Sequence, residues 1–279
     1  MKNILYEDIT FIIVTFKSEK MIDSCLDNLP AKSKKIIIEN SSNLKLKKHL
    51  ENKYTNLLCY VMNQNLGYGR GNNFGISKSK TRYIFILNPD AMLKKNTISD
   101  MFLSLNYRKF AIAAPYSSDD IDKNLFKSSN IIERPYVKGF AMLFDKNEFD
   151  NVGFFDENIF LYLEEIDLCK RIIDNKKKIF LIKTEVNHLS GFSHGNRDDV
   201  EMEKCRNWHW MWSKFYFNKK HYGYSKAILI GLPTLITSMA KSFYYLVIHN
   251  KFKKKIYMMR FLGLFNSMLG KKSWYRPQI

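Results

Sequence analysis

Between residues 204 and 279 this 279-residue chain has no aspartate or glutamate, yet it holds 15 lysines and arginines there. Residues 1–203 carry the other 30 bases and all 27 acids, so the net charge of +18 divides as 3 in the body and 15 in the tail. An even basic coat would suit nucleic acid. A nearly balanced body with a basic, aromatic and apolar tail suits an anionic membrane surface instead, and no nucleic-acid partner is expected. Cysteine is scarce: Cys25, Cys59, Cys169 and Cys205 lie far apart without CxxC spacing, which argues against a zinc site or a disulfide framework and fits a reducing cytosol. A clean spanning segment is also lacking. The most apolar stretch, AILIGLPTLITSMAKSFYYLVIHN (227–250), is interrupted by Pro233 and Lys241, whereas a spanning helix wants about 20 clean residues. No signal peptide is read in MKNILYEDITFIIVTF.

What the chain does have is alternation of short apolar runs with helix-like segments along residues 9–215. ITFIIVTF (9–16), KIIIEN (35–40), YVM (60–62) and YIFILN (83–88) read as strands, MIDSCLDNL (21–29) and KNTISDMFLSLNYR (95–108) as helices, and SSDDIDKNLFKSS (117–129) as a surface loop. This is the βαβ pattern of a parallel sheet covered on both faces. Residues 1–215 are read as one α/β domain and 216–279 as a helical extension that lies on a membrane surface or packs on the body.

Ligands of open α/β sheets bind beyond the carboxyl ends of the strands, and here those ends are polar. The first delivers Thr15, the second Glu39 through Ser42, and the strand at 83–88 delivers Asn88-Pro89-Asp90. NQNLGYGRGNNFGISKS (63–79) adds Gly67, Gly69, Gly71 and Gly75 with Arg70, Asn72 and Asn73. Glycines there let a backbone approach a ligand, and the helix start offers amide donors to phosphate; a plain glycine-rich turn is the alternative. Pro89 fixes the backbone before Asp90, and a carboxylate facing a diphosphate needs a divalent cation such as Mg2+ or Mn2+ between them. Asp90 is read as a metal ligand, or else as a turn aspartate capping the next helix.

GFFDENIFLYLEEIDLCKRI (153–172) crowds Glu164, Glu165 and Asp167 at a helix start. The macrodipole accounts for acids there, but the apolar FLY before them encloses the site, and burial raises a carboxylate's pKa as a general base requires. His188, after KIFLIKTEV (178–186), is a second metal ligand if it meets Asp90 in space, with His194 a competitor.

Taken in order, IIVTFKSE, IIIENSS, NQNLGYGRGNNFGI, YIFILNPDAML, YVKGFAMLF, VGFFDENIFLYLEEIDLCKRI and NHLSGFSHG resemble the inverting family 2 glycosyltransferases, most of all the rhamnosyltransferase-like branch of bacterial cell-surface polysaccharide synthesis. The resemblance implies a GT-A fold, a Rossmann-like mixed sheet flanked by helices, here with a C-terminal membrane-associating extension. It implies Mg2+ or Mn2+ bound by Asp90, to which the reading of the residues adds His188, and a nucleoside-diphosphate sugar held by Thr15, Glu39 and Asp90, to which the glycine-rich stretch adds Gly71, Asn72 and Asn73. Glu39 replaces the more usual Asp. Glu165 becomes the catalytic base in a pair that usually reads Glu-Asp, with Asp167 the alternative base or a helix-start or acceptor-side residue and Glu164 toward the acceptor. The implied acceptor is a glycan or lipid-linked sugar, reached from the cytoplasmic face of the membrane. A non-catalytic sugar-nucleotide-binding protein and a sugar-phosphate nucleotidyltransferase are the alternatives.

Overall fold

The computed structural model describes residues 6–117, 125–126, 129–188 and 199–276. The chain divides into two compact units, residues 1–155 with 165–197, and residues 156–164 with 198–279. His194 and most of the 117–129 stretch lie outside the described residues.

In the first unit β1 (Ile9–Thr15), β2 (Lys34–Glu39), β3 (Leu57–Val61) and β4 (Tyr83–Leu87) lie parallel in the order β3-β2-β1-β4. They are linked by α1 (Glu19–Asp27), α2 (Leu44–Lys53) and α3 (Tyr68–Lys78). Then follow β5 (Ala91–Leu93), α4 (Thr97–Leu105), β6 (Ile112–Ser117), β7 (Ile131–Glu133), β8 (Ala141–Asp145), α5 (Glu164–Asp174) and β9 (Ile179–His188). The βαβ alternation accounts for the parallel half of the sheet, and the whole is the mixed sheet that the family resemblance implies. β8 runs antiparallel to both β4 and β6, and β9 is parallel to β6 but antiparallel to β5 and β7.

The strands read as unbroken apolar runs because both faces are covered. Phe11, Ile13, Ile37 and Phe85 pack with Ile22 of α1, Leu50 of α2 and Met101 of α4. Ile12, Ile36, Ile84 and Ile86, on the other face, pack with Ile76 of α3 and Leu168 and Ile172 of α5. The helix expected over 95–108 stops at Leu105, where Asn106 turns left-handed at φ 39°.

The second unit is built on α6 (Val200–Tyr222), α7 (Tyr224–Val247) and α8 (Lys251–Met268). Asp199 caps α6 by accepting from the N–H groups of Glu201 and Met202, and Gly223 at φ 86° turns the chain into α7. The expected boundary at 215 therefore falls inside a continuous helix. A Cβ on Gly263 would sit 2.1 Å from the Trp208 carbonyl oxygen, so α8 crosses α6 with backbones nearly touching. The segment after α8 is tied down by Trp212 Nε1 donating to Lys271 O at 2.9 Å. His209 completes the tie, its Nε2 2.8 Å from Tyr275 O and its Nδ1 3.0 Å from Ser273 Oγ.

Candidate active site

Parallel pairing brings the carboxyl ends of β1, β2 and β4 to one edge of the sheet, with Thr15 opposite Glu39 in register. Beyond β4 the chain turns tightly, Ala91 N–H donating to Asn88 O at 3.1 Å, and Pro89 supplies no competing donor. Asp90 is thereby delivered to the sheet edge with 1% of its surface exposed. Pairing of β5 with β9 then sets Ala91 opposite His188, and His188 Nε2 comes 3.5 Å from Asp90 Oδ1. The two residues read as metal ligands from separate motifs do meet. Asp90 Oδ1 is buried and takes no hydrogen bond among the described residues. An oxygen so placed beside an imidazole nitrogen fits a hard divalent cation, which carries the rest of its shell on water or substrate oxygens.

The segment that organises this corner lies in the YVKGFAMLF motif, none of whose residues was given a role from sequence. Phe140 accepts from Asn88 N–H through its carbonyl at 2.8 Å, and its ring stacks on His188 with centroids 4.5 Å apart. Its neighbour Gly139 faces Glu165: a Cβ there would lie 3.4 Å from Glu165 Cβ and 3.8 Å from Cδ. Tyr68 of α3 donates its hydroxyl to Gly139 O. Gly139-Phe140 thus joins the base candidate to the metal corner. The only signal in the sequence was a glycine-aromatic pair just ahead of an apolar strand.

Burial holds the Glu165 carboxyl above the ordinary range, while its own N–H and that of Ile166, at the start of α5, pull the other way. Burial is the larger cause. The residues leading into this helix are strained. Tyr162 and Leu163 both have positive φ, 70° and 67°, and a left-handed non-glycine residue costs about 1–2 kcal/mol. Contacts from α6 hold them: Ser213 Oγ donates to Leu161 O at 2.8 Å, and the Tyr162 ring meets Trp210 edge-on at 5.5 Å.

Other expected contacts are placed differently. Asp167 has no exposed surface, and its Oδ2 accepts from Arg171 Nε at 2.9 Å. Arg171 in turn donates to the carbonyls of Val152, Gly153 and Phe154, so the pair anchors a loop where an acceptor contact was expected. Glu164 is buried and belongs to the second compact unit.

On the nucleotide side, Glu39 folds back on its own turn: Oε1 accepts from Ser41 N–H and hydroxyl, and Oε2 from Asn43 N–H at 2.6 Å. Thr15 Oγ1 donates to Ile38 O at 3.4 Å. Asn73 is a clamp, its Nδ2 donating to Phe155 O and its Oδ1 accepting from Phe155 N–H. Asn72 is fully buried, with Nδ2 donating to Tyr68 O. Gly71 and Gly75 serve packing. A Cβ on Gly71 would lie 3.0 Å from Val14 Cγ1, and one on Gly75 only 2.5 Å from Ile12 Cγ2. The close approach that glycine permits here is between α3 and β1.

The candidate site residues, from Thr15 to His188, lie inside a family match: glycosyl transferase family 2, over residues 10–200. The chain belongs to glycosyl transferase family 2.

This family 2 chain is 24% identical over 192 residues to the low-salt glycan biosynthesis hexosyltransferase Agl10 of Haloferax volcanii, the match covering 60% of this chain and 62% of that one. It therefore spans less than two thirds of that relative's length. It is 25% identical over 201 residues to the rhamnosyltransferase WbbL of Escherichia coli K12, covering 58% and 75%. Among solved structures, the mannosyltransferase PcManGT from Pyrobaculum calidifontis, in complex with GDP-Man and Mn2+, has a TM-score of 0.60 at 12% identity and covers 95% of this chain and 88% of its own. Residues 1–349 of S. aureus TarS give 0.54 at 13% identity, covering 96% and 93%. At these identities the likeness establishes the fold, which is GT-A.

Proposed function

We propose that the protein is an inverting hexosyltransferase that moves a sugar from a nucleoside-diphosphate sugar to a hydroxyl of a glycan or lipid-linked acceptor. The observation that carries this is the linkage of a half-buried, raised-pKa Glu165 to the Asp90–His188 corner through Gly139-Phe140. Solved neighbours bound to GDP-Man or UDP-GlcNAc support a nucleotide-sugar donor, and the likeness to WbbL supports rhamnose as the sugar to try first.

Glu165 takes the proton from the acceptor hydroxyl as that oxygen attacks the anomeric carbon from the face opposite the leaving diphosphate. Its raised pKa matches it to a hydroxyl better than an ordinary carboxylate would be. Asp90 and His188 would hold a divalent cation, which neutralises charge on the departing diphosphate when bound. Phe140 fixes the plane of the His188 ring, and the carbonyl of the same residue fixes the turn that carries Asp90. The nucleotide lies along the edge formed by Thr15 and Glu39. No covalent intermediate is needed, since one base and a stabilised leaving group suffice.

The acid-free tail supports a place at the cytoplasmic face of a membrane, where lipid-linked acceptors of surface polysaccharide are concentrated. α7 is long and apolar enough by composition to cross a membrane. The test of the reaction is the anomeric configuration of the product by proton NMR, using a donor of known configuration. Inversion is expected, and retention would overturn the single-base mechanism.

A further inference from the structure

α7 has its large and small residues on unexpected sides. Its buried positions are small: Ala227, Gly231, Ser238 and Ser242. Its large apolar side chains, Leu229, Leu232, Ile236, Met239, Phe243 and Leu246, recur at intervals of three, four, three, four and three and stand exposed, Leu229 at 75% and Phe243 at 67%. In water, burial selects the opposite arrangement. The stripe is about 26 Å long at the rise of an α-helix.

The small face is occupied. A Cβ on Gly231 would touch Phe215 of α6 and Leu264 of α8, and Ser242 Oγ donates to Lys254 O of α8 at 3.4 Å. Tyr245 stacks on Tyr257 at 5.4 Å, and Lys241 lies over the same ring. α8 therefore runs beside α7 from the turn between them back to Gly231, and α8 carries Lys251, Lys253, Lys254, Lys255 and Arg260. If α7 crossed a bilayer, these five cations would enter the hydrocarbon with it, or the packed pair would have to come apart. A helix lying in the plane of the membrane meets neither difficulty.

Resting on the membrane-surface reading above, we infer that α7 and α8 form a hairpin lying flat in an anionic leaflet, the α7 stripe among the acyl chains and the lysines among the headgroups. Exposed Lys226, Lys241, Lys251, Lys253 and Lys255 flank the stripe, and exposed Tyr224, Tyr244, Phe252 and Trp274 are side chains suited to that depth. The charge also selects the occupant. A second copy would bring a cationic hairpin without a single acid against another, which repulsion opposes, whereas an anionic lipid complements it.

The test is flotation of the full chain with vesicles of phosphatidylcholine alone and with phosphatidylglycerol added. Depth is read by spin labels on cysteines introduced at Leu232, Met239 and Leu246. Binding should require phosphatidylglycerol, weaken with salt, and fall about 100-fold or more in Met239→Glu/Phe243→Glu. Circular dichroism checks that this variant is folded, and Lys253→Gln/Lys255→Gln gives an independent reading with no change at the stripe. The three labels should report one shallow depth. Labels passing from one interface through the midplane to the other would overturn the inference. So would binding indifferent to both variants, or a concentration-dependent dimer in place of vesicle binding. Transfer to a soluble acceptor is measured separately: a chain that binds vesicles but transfers no sugar would remove the catalytic proposal and leave this one standing.

Discussion

Replacing Gly75 by alanine distinguishes the two uses of the glycine-rich stretch. If the glycines exist to admit a ligand, Gly75→Ala weakens donor binding and leaves the fold unchanged. The structure requires the reverse. The new methyl would lie 2.5 Å from Ile12 Cγ2, against about 3.5–4 Å for an ordinary carbon contact, so α3 and β1 must part by about 1 Å. Ile12 gives little, because it is fully buried and stiff at χ1. Overpacking of this kind costs about 1–3 kcal/mol, and alanine returns about 0.5–1 kcal/mol of helix propensity, which leaves a net loss of about 1–2 kcal/mol. For a unit of this size that is a fall in melting temperature of about 2–8 °C. All four tryptophans, Trp208, Trp210, Trp212 and Trp274, lie in the helical unit. The loss should therefore appear in far-ultraviolet circular dichroism of the α/β unit and not in tryptophan fluorescence. Ile12→Ala removes the clashing methyl, so the double variant should be more stable than the sum of the singles by about 1 kcal/mol. A variant of unchanged stability that had lost donor affinity would refute the packing account.

Gly139→Ala would place a methyl against the Glu165 side chain and desolvate it further, so the acidic limb of the kcat/KM profile should move to higher pH; a limb that stays or moves down contradicts the placement of the base. Arg171→Met removes the ion-pair partner of fully buried Asp167 and three carbonyl contacts, and should cost about 3–5 kcal/mol by urea unfolding. Buried His209 has its pKa pushed down to about 3, mainly by burial, with the nearby Arg276 charge acting the same way and the Tyr275 carbonyl opposing. Below about pH 6.5 the unfolded chain binds a proton that the folded one refuses until about pH 3, so stability is full above that window and falls by up to ~1.4 kcal/mol per pH unit within it. Tryptophan-monitored unfolding should show this slope, and His209→Gln should flatten it.

The strands were legible because burial on both faces leaves continuous apolar runs, and β1, β2 and β4 fall within a residue or two of where those runs lie. Asp90 was legible for a related reason: a strand, a proline and an aspartate fix where the carboxylate goes. Its meeting with His188 depended on the pairing of β5 with β9, a three-residue contact that no periodicity announces. The partners of the polar side chains were not legible. Asn73, Asp167 and Glu39 look like ligands in sequence, and each also holds main-chain groups or an ion pair that only the folded chain brings within reach. The role of Gly139-Phe140, within the quoted YVKGFAMLF motif, was not legible because it lies in what their carbonyls and ring touch, and nothing in residue type records that. The inverted stripe of α7 was hidden as well, since composition gives apolar content without saying which side faces the neighbouring helices.

The account stands most directly on release of nucleoside diphosphate from a panel of nucleotide sugars, measured with acceptor and Mn2+ on the full chain and on Glu165→Gln, with donor affinity determined in parallel. It predicts turnover of one donor by the wild type, abolished by EDTA and in Asp90→Ala. It predicts a drop of about 10²–10⁴-fold in Glu165→Gln with donor affinity retained. Undiminished turnover in Glu165→Gln, or a wild type that binds donor and transfers nothing to any acceptor, would contradict it.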